Sequence, residues 1–157
     1  MQIRETTTEI INTLKKRNQT ITFAESCTGG RIASAFTAIS GASSVLNGSV
    51  VSYANEIKSA WLGVKEETLV EHGAVSQECV EEMLKGILKM ASADYAIAVS
   101  GIAGPTGGSD EKPVGTLYIG VASEEKSSVK LYLFKGNREE IQEQATAKSI
   151  LLLKNIL

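Results

Sequence analysis

The chain has 157 residues, 43% of them hydrophobic and 22% charged, with a formal net charge of −2. That length suits one domain, residues 1–157, burying about 70% of the surface its unfolded chain would expose; the composition excludes a disordered chain and contains no apolar run long enough to span a bilayer. Lys and Arg are dispersed rather than clustered, which excludes a nucleic-acid-wrapping surface and makes a small ligand the expected partner.

Ile3, Thr7, Ile10, Ile11 and Leu14 recur at three- and four-residue spacing and predict a first, packing helix that ends in Lys15-Lys16-Arg17. Thr20-Ile21-Thr22-Phe23-Ala24 predicts a strand that runs into the polar turn Glu25 to Gly30, after which Ile32, Ala35, Phe36 and Ile39 resume helical spacing until Gly41. Ser49 to Tyr53 predicts a second strand, followed by a short helix capped by Asn55 that runs through Trp61, expected as a packing residue, to Gly63. Another short helix is expected from Lys65 to Glu71, then a longer one capped by Ser76 with Val80, Met83, Leu84, Ile87 and Leu88 along one side.

Tyr95 to Ser100 predicts a buried strand that empties into Gly101–Gly115, a stretch with both prolines and five of the 14 glycines. Thr116–Ser123 and Ser128–Lys135 predict a hairpin, and Asn137 with Glu140 predicts the capping box of a C-terminal helix. The sum is an α/β fold, one three-layer α/β/α domain on a mixed sheet.

Chemistry is limited by what is scarce. His72 is the only histidine, and Cys27 and Cys79 form neither a paired metal motif nor a disulfide framework, so no metal site and no cofactor are expected. Ser26 sits on a sharp strand-to-helix turn, where the amide groups of Cys27, Thr28, Gly29 and Gly30 could face a developing oxyanion. Pattern alone favours the plainer role of a helix cap for Ser26 or Thr28, because the turn is not a Gly-x-Ser-x-Gly elbow. A serine nucleophile lacking histidine needs another base. Lys58 is the candidate, with Tyr53 five residues earlier to relay a proton or orient the amine, and a place near a helix start that would disfavour the ammonium form. A solvated helix lysine is the plainer alternative. Cys27 could be a nucleophile in the same turn, although a small buried side chain is the commoner outcome.

Gly101, Ala103, Gly104, Pro105, Thr106 and Gly107 read as an anion cradle, with Arg138 in the first turn of the last helix as a phosphate partner; the spacing matches neither the phosphate loop of NTPases nor a dinucleotide fingerprint. A wide hairpin-like connection is the bland alternative. His72, before Gly73, reads as a histidine at a helix C-terminus.

Ala24-Glu25-Ser26-Cys27-Thr28-Gly29-Gly30, Tyr53-Ala54-Asn55-Glu56-Ile57-Lys58, His72-Gly73-Ala74-Val75-Ser76, Ser100-Gly101-Ile102-Ala103-Gly104-Pro105 and Lys112-Pro113-Val114-Gly115-Thr116 together resemble the C-terminal domain of the competence/damage-inducible CinA family. The resemblance covers nearly the whole chain. It implies a nicotinamide-nucleotide amidase that converts nicotinamide mononucleotide to nicotinate mononucleotide and ammonia, with Ser26 as nucleophile, Lys58 and Tyr53 as its partners, and the glycine-rich loop and Arg138 region holding the nucleotide. Because family members often carry a further N-terminal domain, this chain is expected to be a stand-alone form without that domain's activity. Its first residues have no basic start followed by an apolar stretch, which makes the cytoplasm the expected location. A homodimer is expected from the size of the layer. The rival classes are a nucleotide-binding module without turnover and an assembly scaffold.

Overall fold

The structure is a computed structural model that describes residues 2–157. In chain order the elements are α1 (Gln2–Arg17), β1 (Ile21–Glu25), α2 (Arg31–Thr37), a 3-10 turn (Ala42–Ser44), β2 (Leu46–Val51), α3 (Asn55–Leu62), α4 (Glu66–His72), α5 (Gln77–Ala91), β3 (Tyr95–Gly101), β4 (Thr116–Ser123), β5 (Ser127–Leu133) and α6 (Arg138–Ile156). The five strands form one sheet in the order β2-β1-β3-β4-β5, with β1 parallel to both β2 and β3 and the last two junctions antiparallel. The fold is the expected three-layer α/β arrangement on a mixed sheet.

Alternation along the central strands divides the core. Ile21, Phe23, Ile97, Val99, Leu117 and Ile119 join the buried cluster that includes α1, α2 and α6 residues, where the Phe23 and Phe36 rings lie 4.8 Å apart. The residues between them are small. Ala24, Ala96, Ala98 and Ala122 meet Val80, Met83, Leu84 and Ile87 of α5, so this helix lies close on the sheet. Gly86 on the same helix brings α3 equally close, because a Cβ there would run into the Leu62 carbonyl. That contact fixes the helix carrying Lys58.

Several boundaries differ from expectation for local reasons. β2 begins at Leu46, three residues early, because Leu46 pairs with Ile21 ahead of an irregularity in the ladder. α2 ends at Thr37, and Gly41, at φ 93°, opens the 3-10 turn. The cap of α3 is Ala54, with no side-chain hydrogen bond, and Asn55 is already helical. Trp61 is half exposed (49%), not packed inside. Ser76 and the Asn137–Glu140 capping box act as expected. No helix among the described residues is long and apolar enough to cross a membrane.

Candidate active site

The chain leaves β1 toward β2 on one side and later enters β3 on the other, so the carboxyl ends of β1 and β3 flank a topological switch point. Open α/β sheets bind ligands in the crevice there. Ser26 follows β1 at this edge, and its N–H donates to the Val99 carbonyl (3.1 Å) while the Ser52 N–H donates to the Glu25 carbonyl (2.9 Å). Neighbouring strands thus grip the Ser26 turn from both sides.

The turn is built around a carboxylate to which sequence reasoning gave no role. Glu25 is fully buried; its Oε1 accepts from the Thr28 hydroxyl (2.6 Å), the Ile32 N–H (3.0 Å) and the Gly30 N–H (3.2 Å), and its Oε2 accepts from the Ala33 N–H (2.9 Å). Four donors at a helix start suit an anion. The signal was an acid three residues before Thr28 at the mouth of a helix. Gln142 was missed too: it reaches from α6, 7% exposed, and donates to the Cys27 carbonyl (3.0 Å).

These bonds correct the expected oxyanion hole. The Gly30 N–H is taken by Glu25 and the Gly29 N–H by the Ser26 carbonyl (3.0 Å), while the Thr28 side chain turns inward. Among the described residues, the N–H groups of Cys27 and Thr28 have no acceptor within the chain. Gly29 and Gly30 instead supply the positive φ values, 59° and 98°, that close the turn.

Lys58 projects from α3 and is 1% exposed. Its Nζ lies 3.0 Å from Ser26 Oγ and 2.9 Å from each of the main-chain carbonyls of Ser52 and Tyr53. Among the described residues, no carboxylate shares these contacts. Burial lowers its pKa from the ordinary 10.5. A neutral amine has two N–H bonds and one lone pair. If the amine is neutral and its N–H bonds go to the two carbonyls, the lone pair faces the Ser26 hydroxyl, which is the arrangement a general base needs.

Tyr53 has a different part from the one expected. Its carbonyl holds Lys58, but its phenol, on a side chain 57% exposed, accepts from Arg138 Nη2 at 2.9 Å instead of relaying a proton to the amine. Arg138 Nη1 donates to the Gly104 carbonyl at 2.7 Å. The guanidinium therefore joins α6, Tyr53 two residues before α3, and the glycine-rich loop. Cys27 is 4% exposed, and burial pushes its thiol pKa up to about 12, which disfavours a thiolate nucleophile.

The glycine-rich loop splits by position. Gly101 and Ala103 are packing positions: a Cβ on Gly101 would strike Leu117, and Ala103 is 4% exposed in the core. Gly104, at φ 81°, lies against Val114. Pro105, Thr106 and Gly107 form the exposed part, beginning with a cis Gly104-Pro105 bond. A groove of about 340 Å3 lined by Ile3, Phe134, Lys148 and Leu151 does not include Ser26, which lies instead at the end of β1 beside β3, the strand that leads into this loop. His72, at the end of α4, lies 3.7 Å from Glu71 and 3.8 Å from Glu78, with none of the residues around Ser26.

The model of the CinA C-terminal domain matches residues 3–157. The chain belongs to that family. It is 46% identical over 151 residues to the nicotinamide-nucleotide amidohydrolase PncC of Escherichia coli K12, covering 96% of this chain and 90% of that protein. It is also 49% identical over 144 residues to a CinA-like protein of Endomicrobium trichonymphae, covering 92% of this chain but 34% of the relative, so the chain spans about a third of the length of such CinA-like relatives. The crystal structure of the competence/damage-inducible protein CihA of Agrobacterium tumefaciens superposes with a TM-score of 0.96 at 36% identity, covering 99% of this chain and 96% of that one. The family resemblance seen in the motifs and the α/β fold seen in the coordinates agree.

Proposed function

We propose that this member of the CinA C-terminal domain family is a nicotinamide-nucleotide amidase that hydrolyses the carboxamide of nicotinamide mononucleotide through an acyl-enzyme on Ser26. The observation that carries the reading is the 3.0 Å approach of the buried Lys58 amine to Ser26 Oγ, within a chain so similar to the Escherichia coli amidohydrolase. Neutral Lys58 takes the Ser26 proton as Oγ forms a bond to the carboxamide carbon, and the Cys27 and Thr28 N–H groups receive the oxyanion. The C–N bond then breaks, the amine returns its proton to the leaving nitrogen, and ammonia departs. Water, deprotonated by the same amine, attacks the ester and releases nicotinate mononucleotide and free Ser26. Arg138 and the exposed Pro105–Gly107 segment grip the nucleotide, and Tyr53 steadies both Lys58 and Arg138.

Residues 1–157 act in this reading as one domain that needs neither metal nor cofactor. The protein is a cytoplasmic homodimer; Leu131 and Leu133, 58% and 55% exposed along the edge strand β5, support pairing of two copies. The test is ammonia release from nicotinamide mononucleotide and from free nicotinamide. The reading requires release from the mononucleotide and far less from the free base. Tight binding without release would make the chain a nucleotide-binding module instead.

A further inference from the structure

Two of the motifs in the sequence, His72-Gly73-Ala74-Val75-Ser76 and Lys112-Pro113-Val114-Gly115-Thr116, contribute no side chain to the proposed chemistry, yet the fold brings them together. Lys112 Nζ donates to the Val75 carbonyl at 2.6 Å and to the His72 carbonyl at 2.8 Å. His72 is the last residue of α4, where unpaired carbonyls favour a cation. Gly73, at φ 77°, turns the chain there, and a Cβ on it would sit 3.7 Å from the amine. Lys112 itself is half-buried, unlike its exposed neighbours Ser109, Asp110 and Glu111.

The contact is one of two cationic side-chain fastenings of the glycine-rich loop, whose base is also closed by the Ile102 N–H to the Thr116 carbonyl (2.9 Å) and the Gly115 N–H to the Ile102 carbonyl (2.8 Å). On the near leg, Arg138 from α6 holds the Gly104 carbonyl. On the far leg, a turn closed by the Ser109 N–H to the Lys112 carbonyl (2.9 Å) and by the Lys112 N–H to Ser109 Oγ (3.0 Å) delivers Lys112 to the connector between α4 and α5. The helices behind these two fastenings, α6 and α5, pack on opposite faces of the sheet. The loop is therefore stretched across the carboxyl edge of β3, next to the turn that carries Ser26.

We infer that Lys112 is a positioning residue that fixes the glycine-rich loop for the nucleotide, acting through the loop backbone without touching the reacting atoms. The inference rests on the amidase reading for the identity of the ligand, and on the two carbonyl contacts alone for the latch. Both carbonyl contacts engage the ammonium, so the residue shapes binding while the Ser26–Lys58 pair is left as it is.

The test compares wild type with Lys112→Met, which keeps the aliphatic stem, and with Lys112→Arg, which keeps a cationic donor. For Lys112→Met, KM for nicotinamide mononucleotide and Kd for nicotinate mononucleotide should rise about tenfold, while kcat and the rate at which an organophosphonate labels Ser26 stay within about twofold. Hydrogen exchange over residues 105–111 should quicken, the melting temperature should change little, and Lys112→Arg should recover most of the binding. Unchanged binding and exchange in Lys112→Met would overturn the inference. So would a joint fall of kcat, labelling and melting temperature, which is the mark of general structural support. If wild type neither binds nor hydrolyses the mononucleotide, the substrate reading fails by itself. The exchange rates then decide on the latch, and unaltered exchange refutes it.

Discussion

The Ser26 turn and the glycine-rich loop lie side by side at one sheet edge, yet they are built in opposite ways. In the turn from Glu25 to Gly30, a buried carboxylate satisfies four donors, neighbouring strands hold both flanks, and two N–H groups beside Ser26 have no acceptor among the described residues. In the loop, Gly101, Ala103 and Gly104 pack inward, while the stretch from Pro105 to Glu111 is exposed and fastened at its ends by cations donating to carbonyls. A site for bond-making needs preorganised dipoles, whereas a site for gripping a nucleotide needs an accessible backbone. The contrast separates substitutions that should lower kcat from those that should raise KM.

The sharpest break would come from Lys58→Met, which removes the proposed base and should lower kcat by about 10³-fold or more with little change in mononucleotide binding. Its pH behaviour gives a second reading. Because the folded protein holds Lys58 below its ordinary pKa of 10.5, the unfolded chain binds more protons in the window between the two values. Wild-type stability relative to Lys58→Met should therefore increase as pH climbs through that window, and should be lowest below it. Parallel denaturation curves for the two proteins at several pH values check the sign.

Glu25→Gln should come next. An amide nitrogen would replace one acceptor oxygen, and a donor would then face a donor; stability should fall by about 2 kcal/mol and kcat by about tenfold, with KM nearly unchanged. Thermal melts and steady-state rates together measure this. Gly86→Ala, away from both regions, should destabilise by about 2 kcal/mol through its collision with the Leu62 carbonyl, and should lower kcat by about threefold by displacing α3. A stable, fully active variant would show that the close α3–α5 approach does not place Lys58.

The smallest effects should come from Ser52→Ala and Cys27→Ser. The Ser52 hydroxyl is buried without a hydrogen-bond partner, so its removal should leave stability equal or up to about 1 kcal/mol higher, and activity should survive because only the Ser52 carbonyl holds Lys58. Cys27→Ser should retain kcat within a few-fold, since burial pushes the thiol up to about 12, which disfavours the thiolate.

The sequence made the layers legible because the strong signals were periodic or capped: the α5 stripe, the Ser76 cap and the Asn137–Glu140 box all lie where their patterns put them. The Ser26–Lys58 pairing was legible through elimination of other bases and through the family resemblance, not through local pattern, since 32 residues separate the two and no local period links them. What holds the amine was invisible for a plainer reason. Its two other partners are main-chain carbonyls, which every residue possesses, so no side-chain type marks them. The phenol of Tyr53 was assigned to Lys58 on sequence proximity, whereas Arg138, 85 residues away, claims it. Glu25 was hidden in plain sight: next to a serine it reads as motif, and only burial and four donors reveal its work.

The central claim, that neutral Lys58 activates Ser26, is tested most directly by site-resolved labelling with an organophosphonate that reacts only with activated hydroxyl or thiol groups. The account predicts an adduct on Ser26, formed at a rate that rises with pH to a midpoint below 10.5 and is abolished in Lys58→Met. An adduct on Cys27, or labelling of Ser26 at the same rate without Lys58, would contradict it.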